Sequence, residues 1–488
     1  MSFNSSQMIH QLRTDFERLL EMVTGPEAHL ATIGEMERYL FRQVLRLGLK
    51  LLQLFVAARV EGESHASLER EDGSVLPYHS QKRRSYFSIF GKMTFERAYF
   101  YAPGVGGECP LDEALSLPER CYSDLLMECA TLLGVEEAYD KGLRVLARLL
   151  GLDLSELALE TAVREQSQEV EAYYEQKEPF PTAEEGPILV AQADGKGVPM
   201  VRQGEAEKKA RRGKGEKKVR KKEAITCAVY TIQPYPRTPR EVVDALFRRG
   251  DPPPKRPPPS HKQVFATLKG KEEALRRLAE WTARRDGAHI QERVALTDGS
   301  IPLQKQVLSH LHGFTLVLDI IHVAEYLWEA GTALYGETDP QRAQWVEEQL
   351  LDILSGRVEQ VIQRLEEKAA TLAPTSLAAK TLHRVATYFQ RNRPYMDYAD
   401  YLQRGWPIGT GVVEGACRHL VKDRMEQAGM RWTLPGAEAL LALRAVNENG
   451  DWDDFHAFRR AQRHQRLYGS ALHTEWINYA ERLEINPF

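Results

Sequence analysis

The sequence predicts a mostly helical N-terminal region with a small β-hairpin, followed by an α/β domain that an all-helical insertion interrupts. Helical spacing over 8–24 and 27–61 predicts two amphipathic helices, helical spacing returns over 120–175, and an aromatic, β-branched run at 85–101 lies between. Short apolar runs that end in aspartate then alternate with helical segments, which is typical of an α/β sheet. From 324 to 404 only helical spacing remains, and this stretch is the predicted insertion.

The composition excludes several classes of protein. A chain of 488 residues is long enough for several domains, and 43% hydrophobic with 27% charged residues is typical of globular proteins. The longest apolar run, 49–60, contains Lys50 and Arg59 and is too short to span a membrane. The N-terminus lacks the pattern of a secretory signal, and five cysteines without a Cys-x-x-Cys pair argue against disulfides and zinc. We therefore expect a cytoplasmic protein with no membrane partner.

The N-terminal region, 1–177, carries the hairpin at 85–101 and a possible helix-turn-helix at 138–165. In that second segment an apolar-periodic helix ends at Gly151, and Ser155 can cap the helix that follows. Any helical hairpin has the same pattern, so DNA binding by this segment is one of two alternatives.

The first part of the α/β domain, 186–323, begins after an acidic, proline-containing linker. Its first strand is an apolar run that ends at Asp194, and two later strands end at Asp298 and Asp319. The pattern also predicts strands at 198–202 and 224–232, helices at 261–286 and 301–311, and a stiff proline-rich linker at 251–260.

The second part of the domain, 405–447, follows the insertion. A glycine-rich turn at 406–411 opens a predicted helix over 412–427, with Glu414 in its first turn. The remaining residues, 448–488, are polar and are expected to form a C-terminal tail.

Three of these carboxylates could share one site. Functional groups of open sheets gather at the carboxyl ends of strands, so Asp194 and Asp298 would face the same edge, and Glu414 would join them. Three clustered carboxylates repel one another unless cations neutralise them, and two Mg²⁺ ions, which Mn²⁺ could replace, would do so. Such a site performs in-line phosphoryl displacement. Each aspartate taken alone is more often a turn or cap residue.

A basic block lies between two of the predicted strands. Each of its cations could bind a phosphate of a nucleic acid, whereas the alternative is a solvated loop. Its members are Lys208, Lys209, Arg211, Arg212, Lys214, Lys217, Lys218, Arg220, Lys221 and Lys222. Arg418 and Lys422 follow Glu414 at intervals of one helical turn, and they could reach DNA phosphates or form ordinary salt bridges.

Four motifs in this order resemble bacterial insertion-sequence transposases of the ISKra type, which are related to the Mutator superfamily. They are Ala191-Gln-Ala-Asp-Gly-Lys-Gly-Val-Pro-Met, Leu296-Thr-Asp-Gly, Asp319-Ile-Ile-His and Trp406-Pro-Ile-Gly-Thr-Gly-Val-Val-Glu. The resemblance covers most of the chain and includes the aromatic hairpin and Cys109-Pro-Leu-Asp.

The resemblance implies an RNase H-like domain with a DDE triad, in which Asp194, Asp298 and Glu414 bind the metal ions. Asp319 and His322 match an Asp-x-x-His signature; His322 could contact the scissile phosphate, and the alternative is a capping aspartate with a partly buried histidine. The resemblance also implies that the protein binds double-stranded DNA, both the element ends and the target, and that it forms a homo-oligomer on DNA. It further implies a cytoplasmic location in the bacterial nucleoid.

We therefore predict a DNA transposase that cleaves and joins the ends of an insertion sequence by hydrolysis and transesterification. Two alternatives remain open: a non-catalytic DNA-binding or regulatory protein derived from a transposase, and a structure-specific nuclease with the same fold. Cleavage and strand-transfer products distinguish the three.

Overall fold

The computed structural model describes residues 5–70, 72–201, 221–249, 256–427 and 429–472. The chain divides into two units, Met1–Tyr173 with Trp452–Phe488, and Tyr174–Asp451. No helix in the described ranges combines the length and the apolar character that a membrane span requires.

The first unit begins with two long helices, α1 (Ser5–Thr24) and α2 (Ile33–Glu61). Thr32 caps α2, because its hydroxyl accepts from the Glu35 amide while the Glu35 carboxylate accepts from the Thr32 amide. An ion pair between Lys50 and Asp15 links the two helices.

Antiparallel strands β3 (Tyr78–Ser88) and β4 (Gly91–Ala102) form a hairpin where the sequence predicts one at 85–101. Its first strand starts earlier than expected. Ser88 pairs with Gly91 across a two-residue turn. Three small strands flank the hairpin: β1 (Leu68–Glu69), β2 (Val75–Leu76) and β5 (Gly106–Glu108).

The helical remainder of this unit contains the predicted helix-turn-helix segment. Gly151 ends one helix in the left-handed conformation at φ 70°, and the Ser155 hydroxyl caps the next. On the outer side of that second helix Glu156 is exposed, whereas Glu160 and Glu165 form ion pairs with Arg164 and Arg120. The helices are α3 (Pro110–Ala114), α4 (Asp124–Glu136), α5 (Tyr139–Leu150), α6 (Glu156–Ser167) and α7 (Val170–Gln176).

The expected tail, 448–488, contains a regular helix, Trp452–Tyr468. Phe455 is fully buried, and Arg463 forms an ion pair with Asp124 of the same unit. This helix was not predicted because charged residues separate its few apolar positions in the sequence. The last part of the tail, 473–488, lies outside the described residues.

The second unit contains a five-stranded mixed sheet in the order β10-β9-β6-β7-β8. β6, β7 and β8 are antiparallel, and β9 and β10 extend the sheet as strands parallel to β6. The strands are β6 (Ile188–Pro199), β7 (Lys221–Ile232), β8 (Ser260–Thr267), β9 (Glu292–Thr297) and β10 (Thr315–Leu318).

Two predictions about this sheet were wrong: one strand was divided into two, and another strand was taken for the start of a helix. The strands expected at 188–194 and 198–202 are the single strand β6, because β7 pairs with it continuously from Ile188 to Pro199. The helix expected from residue 261 begins at Lys271, since β8 occupies the start of that segment. The apolar side chains of β8 are Val264, Phe265 and Ala266, too few to distinguish a strand from a helix by periodicity.

The helical insertion and the sheet share one hydrophobic core. Val190 and Leu296 of the sheet belong to the same buried cluster as Leu327, Val346 and Phe389 of the insertion. The helices of this segment are α11 (Ile320–Tyr335), α12 (Pro340–Leu354), α13 (Val358–Ala370), α14 (Leu377–Asn392) and α15 (Tyr398–Gln403). The first helix of this segment begins at Ile320, directly after Asp319.

The other helices of this unit connect or cover the strands. They are α8 (Pro239–Leu246), α9 (Lys271–Arg285), α10 (Ile301–His310), α16 (Gly411–Ala416), a π-helical segment (Cys417–Lys422), α17 (Asp423–Met425) and α18 (Leu434–Glu448).

Candidate active site

Three aspartates lie within or directly after three neighbouring strands: Asp194 within β6, Asp298 after β9 and Asp319 after β10. The parallel ladder between β6 and β9 ends at Gln192 opposite Leu296, two residues before Asp194 and Asp298. The ladder between β9 and β10 ends at Thr297 opposite Leu318, one residue before Asp298 and Asp319. In each pair of strands the two aspartates follow the last paired residues by the same number of residues. Because side chains alternate along a strand, Asp194, Asp298 and Asp319 are therefore expected at the same level and on the same face of the sheet.

Asp194 is partly buried in the middle of β6, where this strand separates from β9. The Gly195 amide donates to its Oδ1 at 2.7 Å, and the Cys417 thiol donates to its Oδ2 at 3.5 Å. Burial raises the pKa of the Asp194 carboxyl, and the negative charge of Asp298 raises it further. The Asp298 carboxylate therefore lies close enough to Asp194 for its negative charge to act on it.

The loop that carries Asp298 is held by the helical insertion. The Ser300 amide donates to Asp298 Oδ1 at 2.9 Å. From α14, the Tyr388 hydroxyl donates to the Asp298 carbonyl at 3.0 Å, and Arg391 donates to the Gly299 carbonyl at 2.9 Å. Gly299 has φ 83°, and a Cβ there would lie 2.5 Å from the Tyr388 hydroxyl. Glycine is thus required at this position on both conformational and steric grounds.

Asp319 is fully buried and caps the first turn of α11. Its Oδ2 accepts from the His322 amide at 3.2 Å and lies 2.6 Å from His322 Nδ1, while its Oδ1 accepts from the Thr410 amide at 3.0 Å. The hydrogen bond to Asp319 raises the pKa of His322 to about 9, against the opposite effect of burial. His322 is therefore protonated at neutral pH.

Glu414 lies in the first turn of α16 and is exposed. The Thr410 hydroxyl donates to its Oε1 at 2.8 Å. Ligand atoms of Asp319, His322 and Glu414 all lie within 4.8 Å of one another. Among the described residues the structure thus brings Glu414 close to the Asp-x-x-His pair, and Asp194 and Asp298 are not members of this group.

Gln192, a buried amide two residues before Asp194, was not among the predicted site residues. Its Oε1 accepts from the Val413 amide at 3.0 Å, and its Nε2 donates to the Gly409 carbonyl at 3.2 Å and to the Tyr230 hydroxyl at 2.9 Å. Gln192 therefore connects the Asp194 strand to the turn and helix that carry Glu414. A single polar residue inside an apolar strand was the available signal.

The helix expected over 412–427 is not a continuous α-helix. A π-helical segment begins at Cys417, three residues after Glu414, and such segments are common at functional sites. It changes the spacing that was expected to place Arg418 and Lys422 on the Glu414 face. Both side chains are exposed, and Arg418 Nε lies 3.6 Å from Asp423 Oδ2.

Most of the basic block lies outside the described residues. Lys221 and Lys222 begin β7, where both are exposed and Lys221 forms an ion pair with Glu426. The members outside the described ranges are Lys208, Lys209, Arg211, Arg212, Lys214, Lys217, Lys218 and Arg220.

Comparisons with known proteins assign no family to this chain. No protein-family model matches the chain, and no curated protein matches it. Among solved structures, the Drosophila P element transposase strand transfer complex is similar over 76% of this chain and 88% of that chain, at 8% sequence identity and a TM-score of 0.24.

Proposed function

We propose that this protein is a metal-dependent DNA transposase with an RNase H-like catalytic domain, of the kind its sequence motifs resemble. The observation that carries the proposal is the placement of Asp194 and Asp298 two residues beyond the last paired residues of the parallel β6–β9 ladder, where the charge of Asp298 raises the pKa of Asp194. Gln192 connects the same strand to the helix of Glu414, which supports a site that includes all three acids. The mixed sheet, with two parallel strands added to an antiparallel trio, also supports this assignment.

The residues fit a pair of divalent cations. Burial and the charge of Asp298 both disfavour the ionised form of Asp194, and a bound cation would remove that penalty. Asp194, Asp298 and Glu414 would hold Mg²⁺, or Mn²⁺ in its place. When bound, these ions would supply Lewis-acid stabilisation of the attacking and leaving oxygens of an in-line displacement.

His322 supplies positive charge without a metal ion. Its Nδ1 proton is held by Asp319, so the imidazolium presents Nε2–H as a donor to a non-bridging oxygen of the scissile phosphate. Asp319 acts as a positioning residue in this proposal, because both of its oxygens are engaged by protein donors.

The DNA backbone would be bound by cations around this edge of the sheet. Arg418 and Lys422 are exposed shortly after Glu414, and β7 begins with Lys221 and Lys222. The basic block before β7 would extend this contact along the duplex. Phosphate contacts of this kind provide affinity without sequence readout.

A cleavage assay tests the proposal. Purified protein would be incubated in Mg²⁺ or Mn²⁺ with DNA that carries the flanks of its own gene. We expect cleavage at the element boundary and joined products, both lost in Asp298→Asn, which keeps the shape of the side chain and removes its charge. Glu337→Gln, which neutralises an exposed acid in the turn after α11, is the matched control and should retain activity.

The other functions give different results. Binding without cleavage in either metal would refute the enzyme assignment and indicate a DNA-binding protein derived from a transposase. Cleavage of branched DNA without joined products would indicate a structure-specific nuclease. Full activity of Asp298→Asn would refute the site assignment.

A further inference from the structure

The β-hairpin of the first unit carries three aromatic rings on a face that is open to solvent. The rings of His79, Tyr99 and Tyr101 are in mutual contact. Tyr101 keeps 37% of its surface exposed, His79 is also exposed, and Tyr99 is partly buried. Aromatic side chains normally bury their large apolar surface, so a group of rings at the surface indicates a binding site. We call these three side chains the aromatic platform.

The aromatic platform is not part of the core of the hairpin. Tyr99 pairs with Ser80 across the two strands, and Tyr101 lies two residues further along β4 and therefore on the same face. The opposite face carries Ala98 and Phe100, both of which are buried. The hairpin is thus packed on its other side, and the platform faces outwards.

A β-bulge in β3 brings the third ring to the platform. Tyr78 pairs with Phe100 and Ser80 pairs with Tyr99, so His79 is an additional residue in β3. Bulges of this kind redirect a side chain and are frequent beside functional sites. The centroid of the His79 ring lies 5.8 Å from that of Tyr99, with the ring planes at 76°.

The two tyrosine rings of the platform are almost parallel. Their centroids are 6.1 Å apart and their planes differ by 21°. Gly107 of β5 pairs with Tyr101, and a Cβ at Gly107 would lie 2.3 Å from the Tyr99 hydroxyl. The absence of a side chain at Gly107 therefore leaves room for the Tyr99 ring to extend across β5.

Positive charge lies beside the platform. β3 and β4 contain five lysines and arginines and one glutamate. Lys82 shares the face of the platform, and its Nζ lies 3.1 Å from the centroid of the Tyr99 ring. In the part of the chain that the structure describes, Lys82 has this ring contact and no ion pair. The registers of β3 with β4 and of β4 with β5 place Glu96 and Glu108 on the other face.

Two further acids near the hairpin already have partners. Asp112 of α3 lies 2.9 Å from Arg97 and 3.7 Å from Arg84. Glu63 accepts from the Ala98 amide at 3.0 Å. The charge next to the rings therefore stays positive.

Rings beside cations match the chemistry of unpaired nucleotides. Unpaired bases stack on aromatic side chains, while lysine and arginine bind the phosphates that join them. The bases of an intact duplex are stacked on one another and do not present their faces to such rings. The platform thus fits a single strand better than a double helix.

We propose that the aromatic platform binds single-stranded DNA, with bases stacked on Tyr99 and Tyr101 and a phosphate bound by Lys82. The choice of DNA over RNA rests on the proposed function. The stacking of unpaired bases rests on the hairpin alone.

Fluorescence anisotropy with a labelled thymidine oligonucleotide about 12 nucleotides long tests the stacking in the full-length protein. We expect Tyr101→Leu to weaken binding about tenfold, because one stacked base contributes a factor of about this size. Tyr101→Phe keeps the ring and should bind like the wild type. Phe16→Leu removes a 51% exposed ring from α1 of the same unit and is the matched control, with unchanged affinity. Circular dichroism would establish that the variants are folded.

A duplex of the same length separates stacking from charge. The loss in Tyr101→Leu should be confined to the single strand, since the duplex binds through its phosphates alone. Lys82→Gln should weaken binding of the single strand and reduce its salt dependence.

Photocrosslinking tests the location. A thymidine oligonucleotide in which 5-iodouracil replaces some bases would be irradiated with the wild type, and the crosslinked peptides identified by mass spectrometry. We expect crosslinks at Tyr99 or Tyr101.

Four results would overturn the proposal. They are wild-type affinity of Tyr101→Leu for the single strand, an equal loss for single strand and duplex, crosslinks found only outside the hairpin, and a uridine ribo-oligonucleotide that binds about tenfold more tightly than thymidine. None of these measurements requires cleavage. A protein that shows the expected differences but never cuts DNA would refute the proposed enzyme activity and leave the platform as a site for unpaired nucleotides.

Discussion

The contact between Asp319 and His322 allows a quantitative test. In Asp319→Asn the side chain keeps its shape and one acceptor for the Thr410 amide, but it loses the charge that holds the proton on His322. We expect the pKa of His322 to fall from about 9 to its ordinary value of 6.5 or below, because burial then acts without opposition.

The same change should reduce stability in a pH-dependent way. The difference between 6.5 and about 9 corresponds to at most about 3 kcal/mol, and some screening is expected because 31% of the His322 side chain is exposed. Since the pKa is raised in the folded state, this stabilisation is complete below pH 6.5, declines as pH rises towards 9 and is absent above it.

Two measurements check this expectation. Histidine NMR of the metal-free protein, with His322→Gln to assign the resonance, gives the pKa of His322 in the wild type and in Asp319→Asn. Urea unfolding at pH 6, 7.5 and 9.5 gives the difference in free energy of unfolding between the two proteins, which should shrink as pH rises. A wild-type His322 that titrates at 6.5 or below, or a difference that does not change with pH, would refute the reasoning.

Three further predictions concern the rest of the site. Gln192→Leu leaves the Val413 amide and the Gly409 carbonyl without their hydrogen-bond partner, so we expect the free energy of unfolding in urea to fall by about 2–4 kcal/mol. Strand cleavage should be lost while DNA affinity is retained, and retained cleavage would contradict the positioning role of Gln192. Gly299→Ala should destabilise more than Gly313→Ala, because both residues have φ 83° but only the first would meet Tyr388; equal losses in unfolding would mean that this contact is unimportant. Replacing four lysines of the basic block with glutamine should weaken DNA binding similarly for all sequences and flatten its salt dependence, and an unchanged slope would indicate a solvated loop; the four are Lys217, Lys218, Lys221 and Lys222.

Local patterns in the sequence correctly place Asp298 and Asp319 at the ends of strands, but they do not show that the strand of Asp194 continues past it. Apolar runs that end in aspartate predict Asp194, Asp298 and Asp319 because a buried strand must end where polar side chains begin. The same rule failed for β6, which continues to Pro199. On one side of β6, β7 stays paired as far as Pro199, whereas on the other side β9 separates after Gln192. The length of β6 therefore depends on strands that are distant in sequence, and the apolar run of β6 alone cannot predict it.

The contacts that join distant segments could not be predicted from local patterns. Gln192 and Val413 are 221 residues apart, and Asp319 and Thr410 are 91 apart. The Asp-x-x-His spacing predicts that Asp319 can cap the turn of His322, but it does not predict that the second oxygen of Asp319 binds the segment before Glu414. The β-hairpin, by contrast, depends on neighbouring residues, and its aromatic run was a sufficient signal.

The shared core of insertion and sheet has a consequence for how the site forms during synthesis. Gln192, Asp319 and the Cys417 thiol connect the segment that carries Glu414 to the sheet, and α14 of the insertion holds the Asp298 loop. A nascent chain that ends before residue 414 can therefore make the strands but lacks the third acid, and its Asp298 loop is unsupported until α14 has folded. In the proposed transposase, the three acids would therefore come together only after the segment that carries Glu414 has been synthesised and has packed against the sheet.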